Sequence, residues 1–194
     1  MPELSTDRRI GVYAQSNYGK TWLVKRLIEY LCKQGKHAIV YDTDYNDLKY
    51  KFSEIKNCHV FKPDNKNNDN PKYLNEFILE IRQKYKNIFV FIDDIDVFFN
   101  KSSVLSFDFA ELKDAASRGR HQRIGLIYTS KLASYIPTQL VQNTNLFYVG
   151  VFPTLKSMKS LESIISFDDI EKLDYNQHQF LEIDGFNNFK KRIV

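Results

Sequence analysis

Eight consecutive residues, Ala14-Gln15-Ser16-Asn17-Tyr18-Gly19-Lys20-Thr21, have the types and spacing that bind polyphosphate. A loop of this length between a strand and a helix turns its backbone N–H groups inward around an anion, at the positive end of the helix. Gly19 lets the backbone approach the ligand, Lys20 neutralises the β- and γ-phosphates, and the Thr21 hydroxyl ligates magnesium. Ala14 stands where this type of loop usually has its first glycine. A bare Gly-Lys-Thr also starts helices in ordinary α/β proteins, so the reading depends on what lies downstream.

Downstream, the apolar run Phe89-Val90-Phe91-Ile92 ends in Asp93-Asp94. A strand ending in carboxylates presents them at the C-terminal edge of a sheet, where ligands bind in open α/β folds. Asp93 is placed to hold magnesium through water, and Asp94 to polarise an attacking water as general base. Most hydrolysing loops of this kind have Glu at the second position, and the shorter Asp94 is expected to slow hydrolysis. Asp96 reads as a solvated strand exit or helix cap. A third group, Arg118-Gly119-Arg120-His121, precedes the apolar run 124–129 and then Ser130-Lys131. One of Arg118, Arg120 or Arg123, with Arg120 favoured, is a candidate arginine finger for a neighbouring subunit's γ-phosphate. Arginines near a helix C-terminus also complement its dipole with no further role. Ser130 and Lys131 fall at the same sheet edge and are candidate γ-phosphate sensors.

The elements that must carry these residues alternate between strand and helix. Arg9 to Ala14, His37 to Tyr41, Asn57 to Phe61, Ile88 to Ile92, Ile124 to Thr129 and Leu146 to Val151 read as strands. Lys20 to Lys33 carries a helical stripe of Leu23, Leu27, Ile28 and Leu31, and Pro71 to Tyr85 one of Leu74, Phe77, Ile78 and Ile81. Ser106 to Ser117, Thr154 to Ile165 and Asp168 to Leu173 are further predicted helices. Phe180 to Ile183 and Lys191 to Val194 suit a C-terminal edge hairpin, and the polar stretch 64–70 is a surface loop. This order predicts a mostly parallel sheet with helices on both faces, an α/β P-loop NTPase domain spanning residues 1–194.

Bulk properties narrow the class. With 194 residues, 43% hydrophobic and 27% charged, the chain is expected to fold as one globular unit. No run of about 18 apolar residues suggests a membrane span, and the first residues lack a signal-peptide pattern. Two cysteines outside any CxxC spacing fit core filling in a reducing compartment. Four scattered histidines argue against zinc. The net charge of +4 permits an anionic partner without demanding one.

Over roughly residues 9–152 the chain resembles the HerA/FtsK superfamily of DNA-pumping ATPases. It is most similar to the viral genome-packaging branch seen in poxvirus-type viruses and turreted icosahedral archaeal viruses. The resemblance rests on Gly119-Arg120-His121, Gly125-Leu126-Ile127-Tyr128-Thr129-Ser130-Lys131, Tyr135-Ile136-Pro137 and the doubled acid Asp93-Asp94. It implies an RecA/FtsK-like fold, ATP and Mg2+ bound at Lys20 and Thr21, and magnesium and water activation at Asp93 and Asp94. Lys131 stands where that family usually has a sensor Gln. The resemblance further implies a homo-oligomeric ring around double-stranded DNA, a capsid or vertex protein as partner, and the host-cell cytoplasm or the virion as location. Residues 62–72 and 100–103, with Lys190-Lys191-Arg192, are candidate DNA contacts. A small-molecule P-loop kinase, a nucleotide-dependent assembly or scaffold ATPase, and a cellular or plasmid DNA motor of the same superfamily stay open as alternatives.

Overall fold

A strand covered on both faces must be apolar along its whole length. Arg9–Tyr13 and Ile88–Ile92 are buried at every residue. Even Arg9 is buried, its guanidinium donating to the main-chain carbonyls of Asp7, Arg8 and Ala116. Both strands lie inside an eight-stranded sheet. The structure is a computed structural model describing residues 4–43, 46–63, 70–99, 109–152, 154, 157, 161–185 and 190–194. In chain order its elements are β1 (Arg9–Tyr13), α1 (Lys20–Lys33), β2 (His37–Tyr41), α2 (Asn46–Tyr50), β3 (Cys58–Phe61), α3 (Pro71–Lys84) and β4 (Ile88–Ile92). There follow α4 (Ala110–Gln122), β5 (Ile124–Ser130), α5 (Thr138–Asn143), β6 (Leu146–Val149), α6 (Phe167–Glu171), β7 (Leu181–Asp184) and β8 (Lys190–Ile193).

The strand order is β3-β2-β4-β5-β1-β6-β7-β8, parallel from β1 to β6 and antiparallel at β7 and β8. The expected C-terminal hairpin thus closes one edge. From β1 the chain steps outward to β2 and β3. It then returns through β4 and β5 and passes β1 to reach β6. Right-handed crossovers in these two directions place their helices on opposite faces. One core layer accordingly holds Leu23, Val24, Leu27, Ile28 and Leu31 of α1. The other holds Leu74, Phe77, Ile78 and Ile81 of α3 with Leu112 of α4 and Leu140 of α5. Cys32 and Cys58 are free and buried, and burial pushes their thiols up to about 11 and about 12.

Helix ends follow local chemistry. Gly35 takes a left-handed φ of 77° and closes the C-terminus of α1, donating to the Cys32 carbonyl at 3.0 Å. Asn70 caps α3 by accepting from the Lys72 amide at 3.0 Å, with Pro71 in the first turn. Three boundaries differ from the sequence reading. The helix expected over 106–117 is α4, which runs on to Gln122 and so includes Arg118-Gly119-Arg120-His121. Gly119 survives inside it because a Cβ there would stand 2.8 Å from the Arg9 guanidinium and 3.2 Å from the Ile124 carbonyl. Of the helix expected over 154–165, residues 155–156 and 158–160 lie outside the described residues, and Leu161–Ile164 form turns. Finally, α2 and α5 are short helices that the periodicity did not reveal, each less than two turns long.

Candidate functional site

Because β1, β4, β5 and β6 are parallel, their C-terminal ends share one edge of the sheet. The register pairs Tyr13 with Ser130 and with Val149, and Ile92 with Tyr128. Residues 14–21, 93–94, 129–131 and 150–151 therefore meet there. The loop after β1 is anchored at its start by Ala14 N–H to the Ser130 carbonyl (3.2 Å) and Gln15 N–H to the Val151 carbonyl (2.9 Å). Ala14 is fully buried, and Gly150 packs against it. Asn17 at φ 61° and Gly19 at φ 91° turn the loop into α1. Gly19 caps the helix with no side chain, and the first turn holds no acidic residue, so the positive end of α1 is left for an anion.

Lys20 is buried and donates to the Gln15 carbonyl at 3.2 Å, folded across the loop it belongs to. Burial lowers its pKa, while Asp94, Asp93 and Asp96 pull it back up. The Thr21 hydroxyl donates to Asp93 Oδ2 at 3.2 Å. Asp93 is almost fully buried and also accepts from the Thr129 hydroxyl. Burial pushes its carboxyl up to about 7 against the lowering effect of these bonds. A hydroxyl and a buried carboxylate in contact form an all-oxygen donor pair that suits a hard cation such as magnesium. Thr21 and Asp93 are thus the residues that would hold it.

Asp94 takes a left-handed φ of 42°, a strained position for a non-glycine residue, held by its N–H donating to Thr129 Oγ1 at 2.7 Å. Its carboxylate lies 3.7 Å from the Lys131 ammonium. The Lys131 N–H donates to Asp96 Oδ1 at 3.2 Å. Asp96 is buried and fixes the exit of β5, a positioning role in place of the expected solvated exit. Ser130 is also buried and accepts from the Leu132 N–H at 3.1 Å, so it braces the turn after β5.

The structure brings together Lys20, Thr21, Asp93, Asp94 and Lys131. It does not add the arginines. Arg118 pairs with Asp114 along its own helix at 3.4 Å, and Arg123 follows α4 at φ 55°. The backbone of Arg120 lies in the last turns of α4, which leads into the start of β5. That is the opposite edge of the sheet from the loop. The candidate DNA contacts 64–69 and 100–103 fall outside the described residues. Lys62 pairs with Asp47 (3.2 Å), Lys191 with Asp169 (2.7 Å) and Arg192 with Glu182 (2.6 Å).

Sequence reasoning missed the role of Thr129 and, for Tyr18, which it placed in the phosphate loop, the contact across the fold. Thr129 ties Asp93 to Asp94, and its signal was a hydroxyl at the end of an otherwise apolar strand. Tyr18 is fully buried, donates to the Gln179 carbonyl at 2.7 Å, and packs on Tyr175, His178 and Phe180. It fastens the phosphate loop to the turn at 174–180. No local pattern announces a contact between residues so far apart in the chain.

No model of a known protein family matches the chain, and no curated protein matches it. Solved structures do. The genome packaging NTPase B204 of Sulfolobus turreted icosahedral virus 2, in complex with ATP-γS, superposes with a TM-score of 0.78 at 17% identity over 98% of both chains. The pCW3 conjugation coupling protein TcpA, with ATP-γS, gives 0.66 at 20% identity over 97% of this chain and 59% of its own. EssC ATPases 2 and 3 of Geobacillus thermodenitrificans give 0.65 at 17% identity over 92% and 38%. The chain therefore has the fold of these ATPases, as its motifs led one to expect. Among the described residues no helix is long and apolar enough to cross a membrane.

Proposed function

We propose that the chain is an ATP-hydrolysing DNA translocase that packages a viral double-stranded DNA genome into a preformed capsid. The observation that carries hydrolysis is the assembly of Lys20, Thr21, Asp93, Asp94 and Lys131 at one sheet edge, with Thr21 in contact with Asp93. Lys20 and the N–H groups at the start of α1 hold the polyphosphate. Asp94 orients a water and takes its proton as the water oxygen bonds to the γ-phosphorus and the bond to the β,γ-bridging oxygen breaks. Thr21 and Asp93 would hold magnesium, which would supply charge neutralisation for the phosphates. Lys131, freed from Asp94 when a γ-phosphate offers a stronger anion, contacts that phosphate.

Support for translocation is of a different kind. The fold matches a packaging NTPase over 98% of both chains. We extend this to a homo-oligomeric ring threaded by DNA, docked on a capsid or vertex protein, in the host-cell cytoplasm or on the virion. Steady-state ATP hydrolysis with and without double-stranded DNA tests the proposal, with Lys20→Ala as the blank. DNA-stimulated turnover that disappears in the blank is the expected outcome. Hydrolysis surviving Lys20→Ala would remove the phosphate site, and hydrolysis indifferent to DNA would remove translocation.

A further inference from the structure

The sheet ends at β8, and among the described residues no strand lies on its outer side. Phe180 and Val194 exchange both of their main-chain hydrogen bonds, at 2.9 and 2.8 Å. In an antiparallel pair such residues alternate with ones whose N–H and C=O groups point the other way. The register pairs Glu182 with Arg192 and Asp184 with Lys190, so these two pairs also bond inward. The N–H and C=O groups of Lys191 and Ile193 therefore point outward. They form a short ladder edge on which a further strand can both donate and accept.

Side chains give this edge two unlike faces. Lys191 and Ile193 stand opposite Ile183 and Leu181, which belong to the core layer of α3 and α4. On this face Lys191 ties α6 to the strand through Asp169, while Ile193 and Phe167 of α6 remain exposed. Lys190 and Arg192 stand on the other face, and every residue of β8 is exposed. The inner edge shows what the strand selects. Its partner β7 reads Leu181-Glu182-Ile183-Asp184, with Glu182 on the Arg192 guanidinium at 2.6 Å and Leu181 opposite Ile193. Acid beside base and apolar beside apolar are the cross-strand pairs that stabilise a ladder. A strand on the outer side would meet the same alternation.

We propose that β8 docks an extended segment of a partner protein in which acidic residues alternate with apolar ones, added to the sheet as a further strand. The acids meet Lys190 and Arg192, and an apolar residue lies beside Ile193. Main-chain hydrogen bonds to Lys191 and Ile193 supply affinity, and the alternating side chains supply selection. Lysines on an edge strand discourage pairing with apolar or basic strands, so the charges that guard this edge admit an acidic one. Double-stranded DNA fits the edge less well. Its phosphates accept hydrogen bonds and donate none, so the outward carbonyls of Lys191 and Ile193 would lose water with nothing in its place.

The test uses the full chain and two short capped peptides, one alternating Glu and Val and the other Lys and Val, with binding followed by NMR. The Glu-Val peptide should bind about tenfold more tightly or better, weaken as salt rises, and slow amide exchange at Lys191 and Ile193. Ile193→Pro removes an outward N–H and no bond to β7, a change that edge strands tolerate. It should leave the circular dichroism spectrum unchanged and weaken the Glu-Val peptide by about tenfold or more. N-methylation of the peptide's own edge amides asks the same of the other partner, whether or not the proline variant folds, and should abolish binding. Lys190→Glu should bring the two peptides to within about threefold of each other. Equal affinity of the two peptides for the unaltered chain would overturn the proposal. So would unchanged exchange at Lys191 and Ile193, or an N-methylated peptide that binds like its parent. A short DNA duplex that protects these two amides better than the Glu-Val peptide does would also overturn it, and would assign the strand to nucleic acid.

Discussion

Asp93 shows how one buried residue can set a pH dependence. Its carboxyl titrates near 7 in the folded chain, raised by burial, against about 3.9 in an unfolded one. The folded state therefore keeps a proton that the unfolded state has lost. The resulting stability is fully present below about pH 4 and is lost as pH rises through about 7. In nucleotide-free protein with chelator present, the melting temperature of the wild type minus that of Asp93→Asn should fall between pH 4 and 8. A flat difference would mean that Asp93 is already ionised at acid pH. Its neighbour is expected to affect rate and not binding. Asp94→Asn keeps the hydrogen bond from its N–H to Thr129 and loses the basic oxygen together with the charge that faces Lys131. It should bind ATP normally and hydrolyse it about 10²–10⁴-fold more slowly, the usual worth of a positioned base. Single-turnover rates close to wild type would assign the base elsewhere.

At the scale of elements, the contacts that position the site are backbone contacts that a sequence does not display. The strand-to-helix loop, the acidic strand and the polar end of β5 were legible because each has a local signature in residue type and period. The true length of α4 was not, because Gly119 looks like a helix stop and is retained for its fit against Arg9 and the Ile124 carbonyl. Nor was the role of the 174–180 turn, which depends on Tyr18 reaching across the fold to Gln179. Gly150 makes that reach possible. A Cβ there would stand 2.3 Å from the Tyr18 ring and 2.9 Å from Ala14 Cβ, and neither neighbour is at a flexible end. Gly150→Ala should cost about 1–3 kcal/mol of stability by overpacking and, because Tyr18 moves, should also weaken ATP binding. Gly35→Ala is the matched control. It strains a left-handed glycine at φ 77° with open space around it, at the far end of α1 from the loop. It should lower the melting temperature and leave affinity unchanged. Normal affinity in Gly150→Ala despite lost stability would detach the tie from nucleotide binding.

For the whole molecule the decisive fact is that α4 ends at the edge of the sheet opposite the phosphate loop. The seven residues of β5 separate those edges by roughly 20 Å at the rise of an extended strand. Arg120 therefore cannot serve its own chain's nucleotide, and a catalytic role for it requires a second copy. In a ring of head-to-tail contacts each subunit offers a different surface to either neighbour, so one chain's α4 edge can face the next chain's loop. Arg120→Ala and Lys20→Ala should each be inactive alone, the first lacking the finger at every site and the second the phosphate lysine. Mixed at equal amounts, about a quarter of interfaces would join an intact Lys20 to an intact Arg120 if subunits assort at random, and activity should return to that order. The recovery must depend on mixing ratio, with its maximum near equality, because both partners are needed at one interface. Activity that stays at the level of the separate variants, in mixtures shown by native mass spectrometry to form hetero-oligomers, would exclude Arg120 as the finger. If the Arg120→Ala variant is fully active alone, no finger is needed there, and the arginines at the end of α4 serve its dipole.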